Sequence, residues 1–373
     1  MRVFLDTSVL FADLAMLGAR SQLILGQCRA GSFDVSIPEV ILAEVRNHAR
    51  QRIERDVSRI TAGNTGLGRL GLAGSSAPSA DVLVGEFERA LRRRLLGHRV
   101  DLPGLRQVDH AVLVERSIAA RKPFRASDKG YRDTLFWFEM LEAARSERVV
   151  LVTNDLQDFA DAAHAGLHPH LCEDLSRMDR AGAVALFTSL EAFVDAHVPT
   201  SERVLAQVKR LIENDATFRD EVETTISRAV SDTSQWPYHV GLTLVEAEGP
   251  SMMGEESSDS TDVDDFVFLT TPEADHAWEL DDEGQVVVEF TAEAEVRFSH
   301  VFTPTAGEWL VERGSNVDFY DQSESYWAGT TDNEVAVRLA AVFDPEHRTL
   351  EEPELTELLD RPNDQSDDEV PPF

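Results

Sequence analysis

Cysteine is nearly absent: Cys28 and Cys172 are the only two in 373 residues, and neither lies in a metal-ligand spacing. That pattern points to two unpaired thiols rather than a disulfide framework or a thiolate zinc site. No apolar run approaches the roughly 18–20 residues that a membrane span needs. The start, Met1-Arg2-Val3-Phe4-Leu5-Asp6, has neither the long apolar region nor the small-residue cleavage site of a signal peptide. A soluble, cytoplasmic protein with no membrane partner is expected. Positive charge is also scarce, with 35 Lys and Arg against 68 Asp and Glu and a net charge of −33. Such a balance looks hostile to nucleic acid until it is divided. Residues 1–200 hold 25 basic and 26 acidic side chains, whereas residues 201–373 hold 10 and 42. The surplus lies almost wholly in the second half, so it says nothing against a polyanionic substrate for the first.

What is present has the periodicity of alternating strands and helices. Val3-Phe4-Leu5 reads as a short buried strand ending at Asp6, followed by helical apolar spacing from Ser8 to about Arg29. Phe33–Ile37 reads as a second strand. Ser36 and Glu39 fit a capping box and Pro38 a first turn, opening a helix to about Ile60. Residues 61–80, rich in Gly, Ser and Ala, read as a surface loop. Helices are expected over 81–97, 107–120 and 129–146, the last with Asp128 as its N-cap. Val149–Thr153 is another buried strand, Leu167–Leu171 a last short one, and a helix should run from about Ser176 to His197. Short continuous apolar strands alternating with helices predict an α/β fold with a parallel sheet, whose ligands sit at the carboxyl ends of the strands.

Beyond Thr200 the character changes. Two short helices are expected to about Val230, then alternating segments at 285–289, 294–302, 309–312 and 334–343 that resemble antiparallel strands. Residues 250–265 and 361–373 read as disordered, and no internal repeat is found. The division expected is a parallel-sheet α/β domain over 1–197, a helical connector over 198–235, an acidic α+β domain over 236–350 and an acidic disordered tail over 351–373. The acidic runs lack the pattern of a calcium loop. The second half is expected to serve as a surface for a protein partner or self-association, or to mimic a polyanion that restrains the first half.

Four acids stand out by context. Asp6 ends the first strand, Glu44 lies on the helix IPEVILAEV, Asp133 sits in the first turn of its helix, and Asp155 ends the later strand with Asp158 three residues on. Strand ends and a helix can aim such carboxylates into one crevice, where like charges repel unless a cation intervenes. Oxygen-only donors suit Mg²⁺ or Mn²⁺, and an ion bridging carboxylates and a phosphate favours phosphodiester hydrolysis. A basic stripe, from Arg89, Arg92, Arg93, Arg94 and Arg99 through Arg116, Arg121, Lys122, Arg125, Lys129 and Arg132, suits phosphate contacts. Lys129 and Arg132, beside Asp133, are the preferred substrate contacts. Equally, the stripe fits a solvated helix face with arginines paired to Glu86 and Glu88. Trp137 and Phe138 read as core, and His98, His110, His164, His168 and His170 as loop or surface residues without a zinc pattern.

The ordered set VFLDTSVL, PEVILAEV, KGYRD and VTNDLQDF resembles the PIN domain, a metal-dependent nuclease fold, over residues 1 to about 175. That resemblance implies an endoribonuclease using Mg²⁺ or Mn²⁺ on an RNA substrate, with a toxin-like or defence-related role in keeping with the family. It implies Asp6, Glu44, Asp133 and Asp155 as metal-binding acids and Asp158 as a fifth. Thr7 or Ser8 and Thr153 would hydrogen-bond a ligand carboxylate or a phosphate. Two other readings compete. One is a PIN-like module that binds RNA or protein without cutting. The other is an aspartate-nucleophile phosphatase, which generally needs D-x-D where this chain has Asp6-Thr7-Ser8.

Overall fold

The computed structural model describes residues 1–11, 13–69, 78–125, 129–232, 260–280, 285–302, 317–322 and 327–360. The chain divides into two compact units. One holds Met1–Leu17 and Ser21–Pro199, the other Gly18–Arg20 and Thr200–Phe373.

In the first unit, β1 (Arg2–Leu5), β2 (Asp34–Ser36), β3 (Val149–Val152) and β4 (Val184–Phe187) form a four-stranded sheet in the order β2-β1-β3-β4. Every pairing is parallel. Val3, Phe4, Leu5 and all four residues of β3 are buried, as the inner strands of a sheet covered on both faces must be. The register sets Leu5 opposite Val152, so β1 and β3 end level and the residues that follow them become neighbours. The covering helices are α1 (Thr7–Leu10), α2 (Ala19–Ala30), α3 (Glu39–Arg69), α4 (Ala80–Gly97), α5 (His110–Ile118), α6 (Tyr131–Ala144), α7 (Leu156–Phe159), α8 (Pro169–Arg177) and α9 (Leu190–His197). The α/β fold with a parallel sheet is the one expected.

Several local expectations are corrected. The helix foreseen from Ser8 to Arg29 is broken into α1 and α2. Arg94 donates to the carbonyls of Ala15 and Met16, both at 3.0 Å, holding a non-helical turn between them. The capping box does not form: Glu39 pairs with Arg92, and the Ser36 hydroxyl is buried with no hydrogen-bond partner among the described residues. Helix α3 continues to Arg69 through much of the expected loop, and residues 70–77 lie outside the described ones. The stretch 167–171 is not a strand. Pro169 takes a first-turn position and the His168 ring accepts from the His170 N–H, so a helix starts there. The fourth strand is Val184–Phe187 instead, inside a segment expected to be helical. Gly182, at φ 74°, turns the chain before it, and it pairs with β3. Asp128 lies outside the described residues, and Gly130 occupies the N-cap position of α6.

In the second unit α10 (Glu202–Asn214) and α11 (Ala216–Ser231) share a core with a six-stranded antiparallel sheet. Its strands are β5 (Ser260–Phe268), β6 (Glu273–Glu279), β7 (Val286–Phe302), β8 (Asp318–Gln322), β9 (Trp327–Asp344) and β10 (Thr349–Asp360). Strict alternation along β7, with Val286, Val288, Phe290, Ala292, Ala294, Val296 and Phe298 in the core, shows why the strand is continuous. The two segments expected at 285–289 and 294–302 are thus one strand. The helices expected as a connector belong to this core. Ser260–Asp265 and 351–360, expected to be disordered, are strand. The segment 309–312 and the turns at 281–284 and 303–307 lie outside the described residues. No described helix is long and apolar enough to cross a membrane.

Candidate active site

Asp6 follows β1 directly and caps α1. Its Oδ1 accepts the Thr7 N–H at 2.7 Å, and its Oδ2 accepts the hydroxyls of Ser8 at 2.6 Å and Thr153 at 2.7 Å. A carboxylate offers about four acceptor positions, so three are used and one direction remains. The side chain is buried, which only such a set of donors makes tolerable. Thr7 also ties in the next acid, its hydroxyl donating to Glu44 Oε2 at 2.7 Å from one turn inside α3. Thr153 in turn accepts the Asp155 N–H at 2.9 Å, so one hydroxyl links the residues after β1 and β3. Ser8 accepts the Asn154 N–H at 2.9 Å. Asp155 caps the short α7, accepting from the Asp158 N–H at 3.2 Å.

Asp133 comes to the same place from the first turn of α6. Its carboxyl is pushed up to about 7, first by burial and then by the negative charges of Asp6, Asp158, Glu44 and Asp155. Burial also raises Asp155, with Asp158 adding to the rise and Arg125 opposing it. Five acids from four elements therefore share one electrostatic neighbourhood. Gly130 makes this approach possible. It sits at φ 92°, and a Cβ there would lie 2.2 Å from the Pro123 carbonyl oxygen, so the start of α6 rests directly on the backbone of 123–124.

Three cations meet these acids. Arg132 pairs with Glu44. Arg125 grips Asp158 through Nε at 2.6 Å and Nη2 at 2.7 Å, and the same Nη2 lies 3.4 Å from Asp155. Lys122 Nζ is 3.1 Å from Asp158. Asp158, expected as a fifth ligand, thus has both oxygens engaged by basic side chains. The Lys129 carbonyl accepts the Arg125 N–H at 3.0 Å.

Much of the expected basic stripe is bound up in the fold. Arg92 pairs with Glu39 and Glu88, Arg94 serves the turn after α1, and Arg46 and Arg50 pair with Glu88 and Asp81 across a groove of about 430 Å³ between α3 and α4. Arg116 is buried on Asp174, which also receives Arg121 and the Trp137 indole N–H. Trp137 is core, as expected. Sequence reasoning named Arg116, Arg121, Lys122 and Arg125 together. It missed that the first two are structural and the last two enter the acid cluster. No local signal separates them, because the distinction rests on Asp158 and Asp174, more than thirty residues away.

The donor chemistry fits a hard divalent ion: oxygen ligands only, with Asp133 raised by burial first and by the neighbouring negative charges after it. Among the described residues, however, no three His, Cys, Asp or Glu side chains are grouped so as to hold an ion as they stand. Glu44, Asp155 and Asp158 are turned onto basic partners and Asp6 onto hydroxyls. Arg132 and Arg125 occupy oxygens of Glu44 and Asp155 that an ion would otherwise meet.

Residues 3–159 match the family model of the PIN domain. No curated protein and no solved structure matches the chain.

Proposed function

From the premise that the first unit is a PIN domain, a fold generally found in nucleases, we propose that this chain is a metal-dependent endoribonuclease that hydrolyses phosphodiester bonds in RNA. The observation that carries the reading is the convergence of five carboxylates near the carboxyl ends of β1 and β3, where Asp133 is raised first by burial and then by the other four. Five carboxylates against three basic side chains leave the cluster net negative, and a further cation would relieve that charge.

Asp6, Glu44, Asp133 and Asp155 would hold Mg²⁺ or Mn²⁺. Such an ion, when bound, supplies an activated water and neutralises charge on the phosphate. The chain's own residues prepare the site. Thr7, Ser8 and Thr153 hold Asp6 and Glu44 in fixed orientations, the preorganisation that a site for developing charge requires. Lys129 and Arg132, on either side of Gly130 at the start of α6, would contact the substrate backbone. Arg132 is largely exposed and can exchange Glu44 for a phosphate.

Asp6→Asn and Asp155→Asn should each abolish chelator-sensitive cleavage of single-stranded RNA while circular dichroism stays unchanged. Full cleavage by both variants would remove this site from the reaction. A second reading, a PIN-like module that binds without cutting, is favoured by the ion pairs of Arg132 and Arg125 with the acids. It requires the intact chain to bind RNA and leave it whole in Mg²⁺ and in Mn²⁺.

A further inference from the structure

Asp158 is 1% exposed, yet its carboxylate faces two cations rather than one. Arg125 holds it side-on through Nε and Nη2, the two-pronged geometry that fixes a guanidinium plane most firmly. Lys122 adds a second positive charge at 3.1 Å. The trio therefore carries a surplus of one positive charge beside Asp155. The Arg125 side chain is one-third exposed, and its Nη1 makes no hydrogen bond to a described residue.

The segment that presents these cations is unusually well fixed. The Lys122 carbonyl accepts from the buried Arg116, and the Lys122 N–H donates to His170 Nδ1 at 3.2 Å. Phe124 is buried, Pro123 lies against Gly130, and the Arg125 N–H reaches the Lys129 carbonyl. A cation needed only to neutralise Asp158 could come from a loose side chain. Here the backbone from Lys122 to Arg125 is pinned and the guanidinium plane is set.

Building on the nuclease reading, we infer that Arg125 binds a phosphate oxygen of the RNA backbone next to Asp155, and that Asp158 is the positioning residue that aims it. Lys122 offsets the remaining charge of Asp158, which leaves Arg125 available to a second anion. Asp158 thereby contributes as the carrier of a substrate contact and not as a fifth metal ligand.

The test is RNA binding by the intact chain in EDTA, where no cleavage interferes, followed by fluorescence anisotropy of a labelled single-stranded oligonucleotide across a salt series. One phosphate contact to a single strand contributes about 0.7 to the slope of log affinity against log salt. Arg125→Ala should weaken binding roughly tenfold at low salt and lower the slope by about that amount. Asp158→Asn, which leaves Arg125 charged but removes the carboxylate that aims it, should weaken binding with the slope retained. Arg125→Lys gives the same pattern as Asp158→Asn and covers the case in which either other variant fails to fold. Affinity and slope equal to wild type in Arg125→Ala, or tighter binding, overturn the inference while wild-type cleavage leaves the nuclease reading standing. An intact chain that neither binds nor cleaves RNA overturns both.

Discussion

Removing the negative charge of Asp133 should make the metal-free protein more stable, and more so as pH rises. The carboxyl moves from 3.8 to about 7 on folding, so the folded state binds the proton more tightly than the unfolded one. The stabilisation from that proton is fully present below pH 3.8 and is lost as pH climbs through about 7. At 1.4 kcal/mol per unit the full shift corresponds to roughly 4 kcal/mol. Asp133 is only partly covered, and solvent screening reduces that figure to about 2 kcal/mol. Asp133→Asn carries no charge in either state and escapes the penalty. For a unit of this size the gain amounts to about 5 °C in Tm at pH 8 and little at pH 4.

Thermal unfolding of both chains in EDTA, at intervals from pH 4 to pH 8, reads the effect as a difference. Both chains share the acidic second unit, so its contribution cancels. Mn²⁺ at pH 8 should then raise the Tm of the wild type and close the gap, because a bound cation removes the repulsion that the substitution removes. Equal Tm values at pH 8, with parallel pH profiles, would refute the claim that the acids converge on Asp133.

Two further outcomes follow from the supports of the site. Gly130→Ala places a Cβ 2.2 Å from the Pro123 oxygen at φ 92°. A loss above about 2 kcal/mol is expected from strain, together with loss of cleavage, measured by chemical denaturation and RNA digestion. Asp174→Ala leaves the buried Arg116 without its carboxylate. The expected cost is about 3–5 kcal/mol, and a chain as stable as wild type in urea would show that the ion pair is dispensable.

Legibility varied with the range of the interactions involved. Val3–Leu5 and Val149–Val152 could be read as buried parallel strands because no polar residue interrupts them, and their ends marked Asp6 and Asp155. Helix α6 was legible from good helix formers after Gly130. Val184–Phe187 was not, since Ala183-Val184-Ala185-Leu186 favours either state and only pairing with β3 decides it. Leu167–Leu171 failed the other way: its apolar residues suggested a strand, while Pro169 and the His168 cap make the helix.

The same distinction governs the site. Asp6, Glu44, Asp133 and Asp155 could be picked out one by one because each lies at a strand end or in an early helical turn. Their division of labour could not, because it depends on partners that the fold supplies from a distance. Thr153 meets Asp6 across 147 positions, Thr7 meets Glu44 across 37, and Arg125 meets Asp158 across 33. In sequence Asp155 and Asp158 look alike, two acids in one short motif. The fold separates them by burial. Asp155 is about one-third exposed and touches Arg125 at 3.4 Å, whereas Asp158 is enclosed and saturated at 2.6 and 2.7 Å. An enclosed carboxylate already bonded to a guanidinium and an ammonium loses more than it gains by turning to an ion. A half-open one, held by the Asp158 N–H at 3.2 Å and by Arg125 at 3.4 Å, is freer to turn, and on the proposed nuclease reading that difference gives the two aspartates different work.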